Sequence, residues 1–126
     1  MADRSDAEPL PEDVVATLSH LLQPHDPVHA ALLTQIAHAT VQSRCGRGCA
    51  TVYFDLDTGV VTPGPVDPAR HPIVAEAGIV APDGQHVGEV LVFARDGYLS
   101  WLEVCSWSDA PMTALPPLDQ IEPYNR

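Results

Sequence analysis

Residues 73–107 read IVAEAGIVAPDGQHVGEVLVFARDGYLSWLEVCSW, and they contain three runs rich in β-branched and aromatic residues, over 73–81, 86–95 and 98–107. Such residues are enriched in β-strands. The runs are separated by Asp83-Gly84 and Asp96-Gly97, and Asp-Gly is typical of tight hairpins because a type I′ turn needs positive φ at both central positions. The pattern therefore predicts an antiparallel three-stranded meander.

The turns also predict the register of the meander, because a two-residue loop after Arg95 pairs it with Tyr98. On that register Trp101 lies opposite Val92, on a face whose other neighbours are small and leave room for an indole. We expect Trp101 to lie in the core. We expect Trp107, which ends its strand among polar residues, to be more exposed.

The opposite face of the meander is also largely apolar on this register, with Val74, Leu91, Phe93, Leu102 and Val104. A sheet with one solvated face would alternate apolar and polar residues, so we expect something to cover each face. Helices can cover the first face. The second needs the C-terminal tail, the early strands or another subunit.

Two helices precede the sheet. Over 11–23, acidic residues in the first turn are followed by apolar residues at helical spacing, and Pro24 ends the pattern. Asp26-Pro27 begins the second helix, because Asp is a good N-cap and Pro suits the first helical position, and we expect this helix to end near His38.

These patterns predict a single α+β domain, in which two N-terminal helices pack on an antiparallel sheet of about five strands that ends in the meander. Two earlier strands, over 39–44 and 50–56, complete the sheet. The predicted organisation is a flexible arm, the helices, the sheet and a proline-rich tail, over 1–9, 10–38, 39–107 and 108–126.

The net charge of the chain limits the classes of partner that it can bind. Its 126 residues include 17 Asp and Glu against 6 Arg and no Lys, for a formal net charge of −11. This charge argues against binding to nucleic acid and to anionic membrane surfaces, and it favours binding to a basic partner protein. The absence of Lys excludes Schiff-base chemistry and the Walker motif. No apolar run is long enough to span a membrane and the N-terminus does not resemble a secretory signal, so we expect a cytoplasmic location.

Cys45 and Cys49 lie in the glycine-rich turn CGRGC between the two early strands. A structural zinc site usually has two close cysteine pairs, and here there is one. We interpret the pair as two reduced thiols in a turn, with a zinc site and a reversible disulfide as the alternatives. His25 and His29 imitate a metal pair on one helix face, but the Asp26 cap places His25 before the helix.

Asp55 and Asp57, in the segment FDLDTG, resemble the D-x-D-x-T strand end of haloacid-dehalogenase-like phosphatases, in which the first Asp is the nucleophile and the second the acid/base. Thr58 stands where that family has Gly, and the family's later Lys is absent from this chain. We therefore interpret this segment as a turn that ends a strand. The chain carries no other catalytic signature, and we expect no cofactor.

Two segments carry a family resemblance: RCGRGCATV over 44–52 and GEVLVFARDGYLSWLEV over 88–104. Both resemble a group of small actinomycete proteins with a Cys/Gly turn before a strand and a C-terminal F-x-R-D-G-x-L-S-x-L-E-V hairpin. Some immunity-type proteins have a similar hairpin. The resemblance implies the fold and a bacterial source, and no activity; Arg47 stands where relatives often have a third cysteine.

The leading functional prediction is therefore non-catalytic binding of another protein, as an immunity-like or accessory factor. We expect the binding surface at Glu76, Glu89, Phe93 and Leu102, because two carboxylates interrupt an otherwise apolar face. The partner would be a basic protein or, as a homo-oligomer, a second copy of the chain. A small-molecule or metal-binding module at the Cys45–Cys49 turn is the alternative, and a phosphatase at Asp55 and Asp57 is more remote.

Overall fold

The computed structural model describes residues 8–46, 48–65 and 72–124. The regular elements in these ranges are two α-helices, two short 3-10 turns and six β-strands. They are α1 (Glu12–Leu21), α2 (Pro27–Gln35), a 3-10 turn (Ile36–His38), β1 (Thr40–Arg44), β2 (Val52–Asp55), β3 (Ile73–Val80), β4 (His86–Arg95), β5 (Tyr98–Ser106), a second 3-10 turn (Leu118–Gln120) and β6 (Ile121–Pro123). The predicted α+β fold is confirmed.

Local signals set the bounds of the helices. Helix α1 follows Pro11 and ends at Leu21, before Pro24. The side chain of Asp26 caps α2 by accepting hydrogen bonds from the N–H groups of Val28 and His29, as the sequence predicts. The predicted end near His38 is reached by a change of helix type, because the chain tightens into the 3-10 turn after α2. No helix in the described ranges is long and apolar enough to cross a membrane.

All six strands form one antiparallel sheet in the order β1-β2-β5-β4-β3-β6. The predicted meander, β3-β4-β5, is its centre. The sixth strand, which the sequence analysis missed, comes from the tail: Ile121, Glu122 and Pro123 pair along the outer edge of β3.

The helices pack on one face of the sheet, which we call the helix face. Its core joins apolar side chains of both helices to alternate residues of the strands. The buried members are Val14, Leu18, Leu21, Leu22, Leu32, Val52, Phe54, Ala77, Ile79, Val90, Val92, Leu99, Leu102, Val104 and Ile121. We call the other side of the sheet the open face, because no described helix packs on it.

The two hairpin turns differ. At Asp96-Gly97 both residues have positive φ, 53° and 84°, so this turn is the predicted type I′ turn. The Asp83-Gly84 hairpin has a longer loop, since the N–H of Ala81 donates to the carbonyl of Gln85. An irregularity after Ile79 restores the predicted register from Ile79, opposite Gly88, to Ala75, opposite Val92. A second irregularity between Ile73 and Ala75 then puts Ile73, and not Val74 as predicted, opposite Phe93.

The predicted register fails between β4 and β5. The pairs Arg95 with Tyr98 and Ala94 with Leu99 are as expected, but a bulge then leaves Ser100 unpaired, and Phe93 lies opposite Trp101. Every later side chain of β5 therefore changes face. The prediction that Trp101 packs in the core against the helices is wrong, because the bulge turns its ring to the open face.

The same bulge corrects the position of Leu102, which the sequence analysis placed on the binding surface. Leu102 is fully buried in the core of the helix face. Trp107 is 57% exposed, as predicted.

The two ends of the described chain are more ordered than the sequence suggests. Residues 1–7 of the predicted arm lie outside the described residues, but the carbonyl of Glu8 accepts a hydrogen bond from the N–H of Val41 on β1. The tail runs along the helix side of the sheet, where Met112 and Leu115 pack against the core, before it forms β6. The tail therefore does not cover the open face with these two side chains.

Candidate functional site

The open face carries most of the predicted binding surface. Glu76, Glu89 and Phe93 lie on it together, while Leu102 does not. The bulge brings Glu103 to this face instead, directly across β4 from Glu76 in the row Glu76, Leu91, Glu103. The sequence analysis therefore identified two of three carboxylates and one of three aromatic residues that share this surface.

Glu76, Glu89 and Glu103 form what we call the carboxylate cluster. They lie on the three central strands, with Glu89 diagonal to the other two and Leu91 between them. Each is partly buried, so their charges are less screened by solvent than those of fully exposed side chains. No group of three His, Cys, Asp or Glu residues within the described ranges is arranged to hold a metal ion. The cluster therefore places three carboxylates on the open face, without metal-site geometry among the described residues.

Tyr53, Phe93 and Trp101 form what we call the aromatic cluster. The rings of Phe93 and Trp101 are stacked, with centroids 4.2 Å apart and an interplanar angle of 11°, and the Tyr53 ring is 6.0 Å from Trp101. These residues are opposite one another on β2, β5 and β4. Tyr53 is 36% exposed and the other two are partly buried, so the open face presents an aromatic surface to solvent.

Trp101 has one unusual feature. Its indole Nε1 is a buried donor that has no hydrogen-bond partner among the described residues. A buried polar group without a partner costs on the order of 1–3 kcal/mol, because it loses its bonds to water and gains nothing in return. The aromatic cluster therefore holds a donor that an added acceptor would satisfy.

Cys105 lies beside the carboxylate cluster and is a free thiol. Its Sγ donates a hydrogen bond to Oε2 of Glu103 at 3.4 Å. Burial, this hydrogen bond and the negative charges of Glu103 and Glu89 raise the pKa of the Cys105 thiol to about 11. All of these effects favour the protonated form, so Cys105 is a poor nucleophile at neutral pH.

This pKa gives a testable pH dependence. We expect iodoacetamide to alkylate folded Cys105 at pH 8 about 100-fold more slowly than an ordinary thiol, because the pKa rises from 9.0 to about 11. Since the folded pKa is the higher one, the thiol stabilises the fold below pH 9 and this contribution is lost as the pH rises toward 11. Mass spectrometry of the alkylated chain against pH measures the rate. A half-maximal rate near pH 9 in the unmodified chain would contradict the assignment.

The CGRGC turn is a correction to the sequence analysis. Cys45 and Cys49 are joined by a disulfide, whereas we expected two reduced thiols. The turn is held further by a hydrogen bond from the N–H of Cys45 to the carbonyl of Thr51, and Ala50 donates to the carbonyl of Met112. While the disulfide is intact, neither sulfur is available as a thiolate ligand for a metal. The hydrogen bond from Ala50 to Met112 links the β1–β2 hairpin to the tail.

Asp55 and Asp57 lie at the end of β2, and the segment after them is a turn, as predicted. The Asp57 side chain accepts a hydrogen bond from the N–H of Gly59 at 3.0 Å, and its carbonyl accepts from Val60 and Val61. Asp57 thus closes a turn by the local side-chain bonding that favours Asp in such positions.

Two buried polar residues of α2 have structural roles that the sequence analysis did not predict. His29 accepts a hydrogen bond from the N–H of Gln23 at Nδ1 and contacts the carbonyl of Val74 at 2.6 Å through Nε2, so both ring nitrogens are used within the fold. Gln35 is fully buried and bonded to three backbone groups. Both side chains therefore have structural roles, and the ring nitrogens of His29 are engaged within the fold rather than paired with His25.

No protein-family model matches the chain, no curated protein is significantly similar to it, and no solved structure matches it. The resemblance to small actinomycete and immunity-type proteins therefore stays a prediction.

Proposed function

We propose that this protein is a non-catalytic binding module whose open face binds a basic partner protein. The observation that carries the proposal is the combination, on one sheet face without a described helix, of the carboxylate cluster and the aromatic cluster. Aromatic residues are enriched in binding interfaces, and carboxylates beside them select a positively charged partner.

Charge favours a different protein over a second copy of the chain as the occupant. Two copies joined through this face would bring Glu76, Glu89 and Glu103 of each toward those of the other, and like charges at an interface are unfavourable. The net charge of −11 adds a long-range repulsion between copies. The same field speeds the approach of a basic partner.

The sheet edges are less suited to binding than the face. The β1 edge is engaged by Glu8 and Pro9, and β6 on the other edge has three residues, one of them Pro123. Short edges and proline both discourage the addition of a strand. We therefore propose that a partner segment lies across the open face. An immunity-like or accessory role would fit this mode of binding.

The experiment uses a defined probe, an 18-residue amphipathic peptide of leucine and arginine with a fluorescent label. We expect the full chain to bind it, and the triple variant Glu76→Gln, Glu89→Gln, Glu103→Gln to bind at least 10-fold more weakly. Lost charge contacts of about 0.5–1 kcal/mol each at Glu89 and Glu103 already give a change of about this size. Fluorescence anisotropy measures the affinity, and circular dichroism checks the fold.

A matched control makes the same change in net charge elsewhere. The variant Glu12→Gln, Asp109→Asn, Asp119→Asn replaces three exposed acids away from the carboxylate cluster. We expect it to bind the peptide within about threefold of the unmodified chain, since exposed distant charges are screened. If both triple variants weaken binding equally, the peptide senses net charge alone and the proposal is wrong.

A further inference from the structure

The aromatic cluster already holds a guanidinium. The Cζ atom of Arg95 lies 5.5 Å from the centroid of the Trp101 ring, within the range of a cation–π contact. Arg95 is exposed and makes no ion pair within the described part of the chain. A cation–π contact at an exposed site is worth only about 0.5–1 kcal/mol, so this side chain is weakly held.

From this geometry we propose that the aromatic cluster is an arginine-binding subsite, which Arg95 occupies in the free protein and which an arginine of the partner takes on binding. The inference rests on the proposed function and deepens it, since it names the partner's anchoring residue. Arg95 then competes with the partner's arginine for the aromatic cluster.

The indole N–H of Trp101, which has no hydrogen-bond partner among the described residues, favours an arginine that belongs to a peptide over free arginine. A guanidinium carries only donors, so Arg95 cannot satisfy Nε1 of Trp101. An arginine within a peptide brings its own backbone carbonyl, which is an acceptor. Displacement of Arg95 by such a residue would replace the cation–π contact, and the carbonyl would bond to Nε1 where the displacement also uncovers this buried atom.

The neighbouring carboxylates favour arginine over lysine. Glu103 follows Trp101 by two residues on the same face, about 7 Å along the strand, and Glu89 lies farther along on β4, diagonal to Glu103. A planar guanidinium can stack on the ring and direct its donors to a carboxylate, whereas a compact ammonium cannot do both.

The test compares two peptides and a small set of protein variants. The probes are the leucine–arginine peptide and the same peptide with every arginine replaced by lysine. The proteins are the unmodified chain, Arg95→Ala, Arg95→Gln, Arg44→Ala and the triple variant of the carboxylate cluster. Arg44 lies on β1 and forms an ion pair with Glu8, and its replacement is a control for the change in net charge.

We expect Arg95→Ala to bind the arginine peptide threefold to tenfold more tightly, and Arg44→Ala to differ from the unmodified chain by less than twofold. The lysine peptide should bind the unmodified chain at least fivefold more weakly. Arg95→Gln should behave as Arg95→Ala does, which guards against an effect of the smaller side chain on packing.

The outcomes separate the two proposals. If both peptides bind equally and both depend on the carboxylate cluster, the proposed function stands and the arginine subsite is wrong. If Arg95→Ala and Arg95→Gln bind the arginine peptide more weakly, Arg95 contributes to the interface and is not a competitor. If binding does not depend on the carboxylate cluster, the proposed function itself fails.

Discussion

Replacing Gln35 with leucine should lower the free energy of unfolding by about 3–5 kcal/mol, although the side chain keeps nearly the same volume. Its amide NH₂ donates to the carbonyls of Thr62 and Gly97 at 3.1 and 2.9 Å, and its Oε1 accepts from the N–H of Leu99 at 2.8 Å. The variant leaves the Leu99 N–H and the Thr62 carbonyl without these partners. The Leu99 N–H, left buried without a partner, costs about 1–3 kcal/mol, and each hydrogen bond lost to the two carbonyls adds about 0.5–1.5 kcal/mol.

Urea unfolding followed by circular dichroism measures the effect. The control is Thr34→Ala, one residue earlier in α2, where the hydroxyl is exposed and bonds only within the helix. We expect that change to cost less than about 0.5 kcal/mol. A cost below about 1 kcal/mol for Gln35→Leu would show that the bonds from α2 to the loop and hairpin contribute little.

The helices and the meander were predictable because their signals are local. The Asp26 cap, Pro24 and the Asp96-Gly97 turn each act within a few residues, so they have nearly the same meaning in any fold. The carboxylates Glu76 and Glu89 were placed on one face for the same reason, since alternation along a strand needs only a starting point.

The bulge at Ser100 was missed because turn geometry was taken to set the register over the whole strand. The sequence does contain a warning: on the predicted register, Glu103 faces the helices in the core, where an unpaired carboxylate is costly. The bulge puts Leu102 and Val104 there instead. Hydrophobic burial therefore overrides the register set by the turn, and this single change places Trp101 and Glu103 on the open face.

The sixth strand and the disulfide depend on tertiary contacts that local patterns do not reveal. A three-residue strand that ends in Pro123 has no strand signal of its own, and its pairing arises because the tail reaches the free edge of β3. The approach of Cys45 to Cys49 likewise follows from the conformation of a glycine-rich turn, which the spacing alone leaves open.

Replacing Gly97 with alanine should lower the free energy of unfolding by about 3–5 kcal/mol. Gly97 has φ of +84°, which costs other residues roughly 1–2 kcal/mol. A Cβ there would also lie 2.4 Å from the carbonyl oxygen of Gly64. The overlapping atoms belong to the Gly64 backbone, so the overlap can be removed only if the loop moves. That movement would break the 2.7 Å hydrogen bond from the Gly64 N–H to the Gly97 carbonyl.

The matched control is Gly84→Ala in the other hairpin. Gly84 has φ of +90° but nothing within 4 Å of a Cβ, so this change carries the conformational cost without the overlap. We expect about 1–2 kcal/mol for it, and the difference between the two variants isolates the close approach at Gly64. An equal loss of free energy of unfolding in the two variants would mean that the loop at Gly64 moves away from the Cβ without a measurable cost. Because the Gly97 carbonyl also accepts from Gln35, Gly97→Ala and Gln35→Leu together should cost less than the sum of their separate effects.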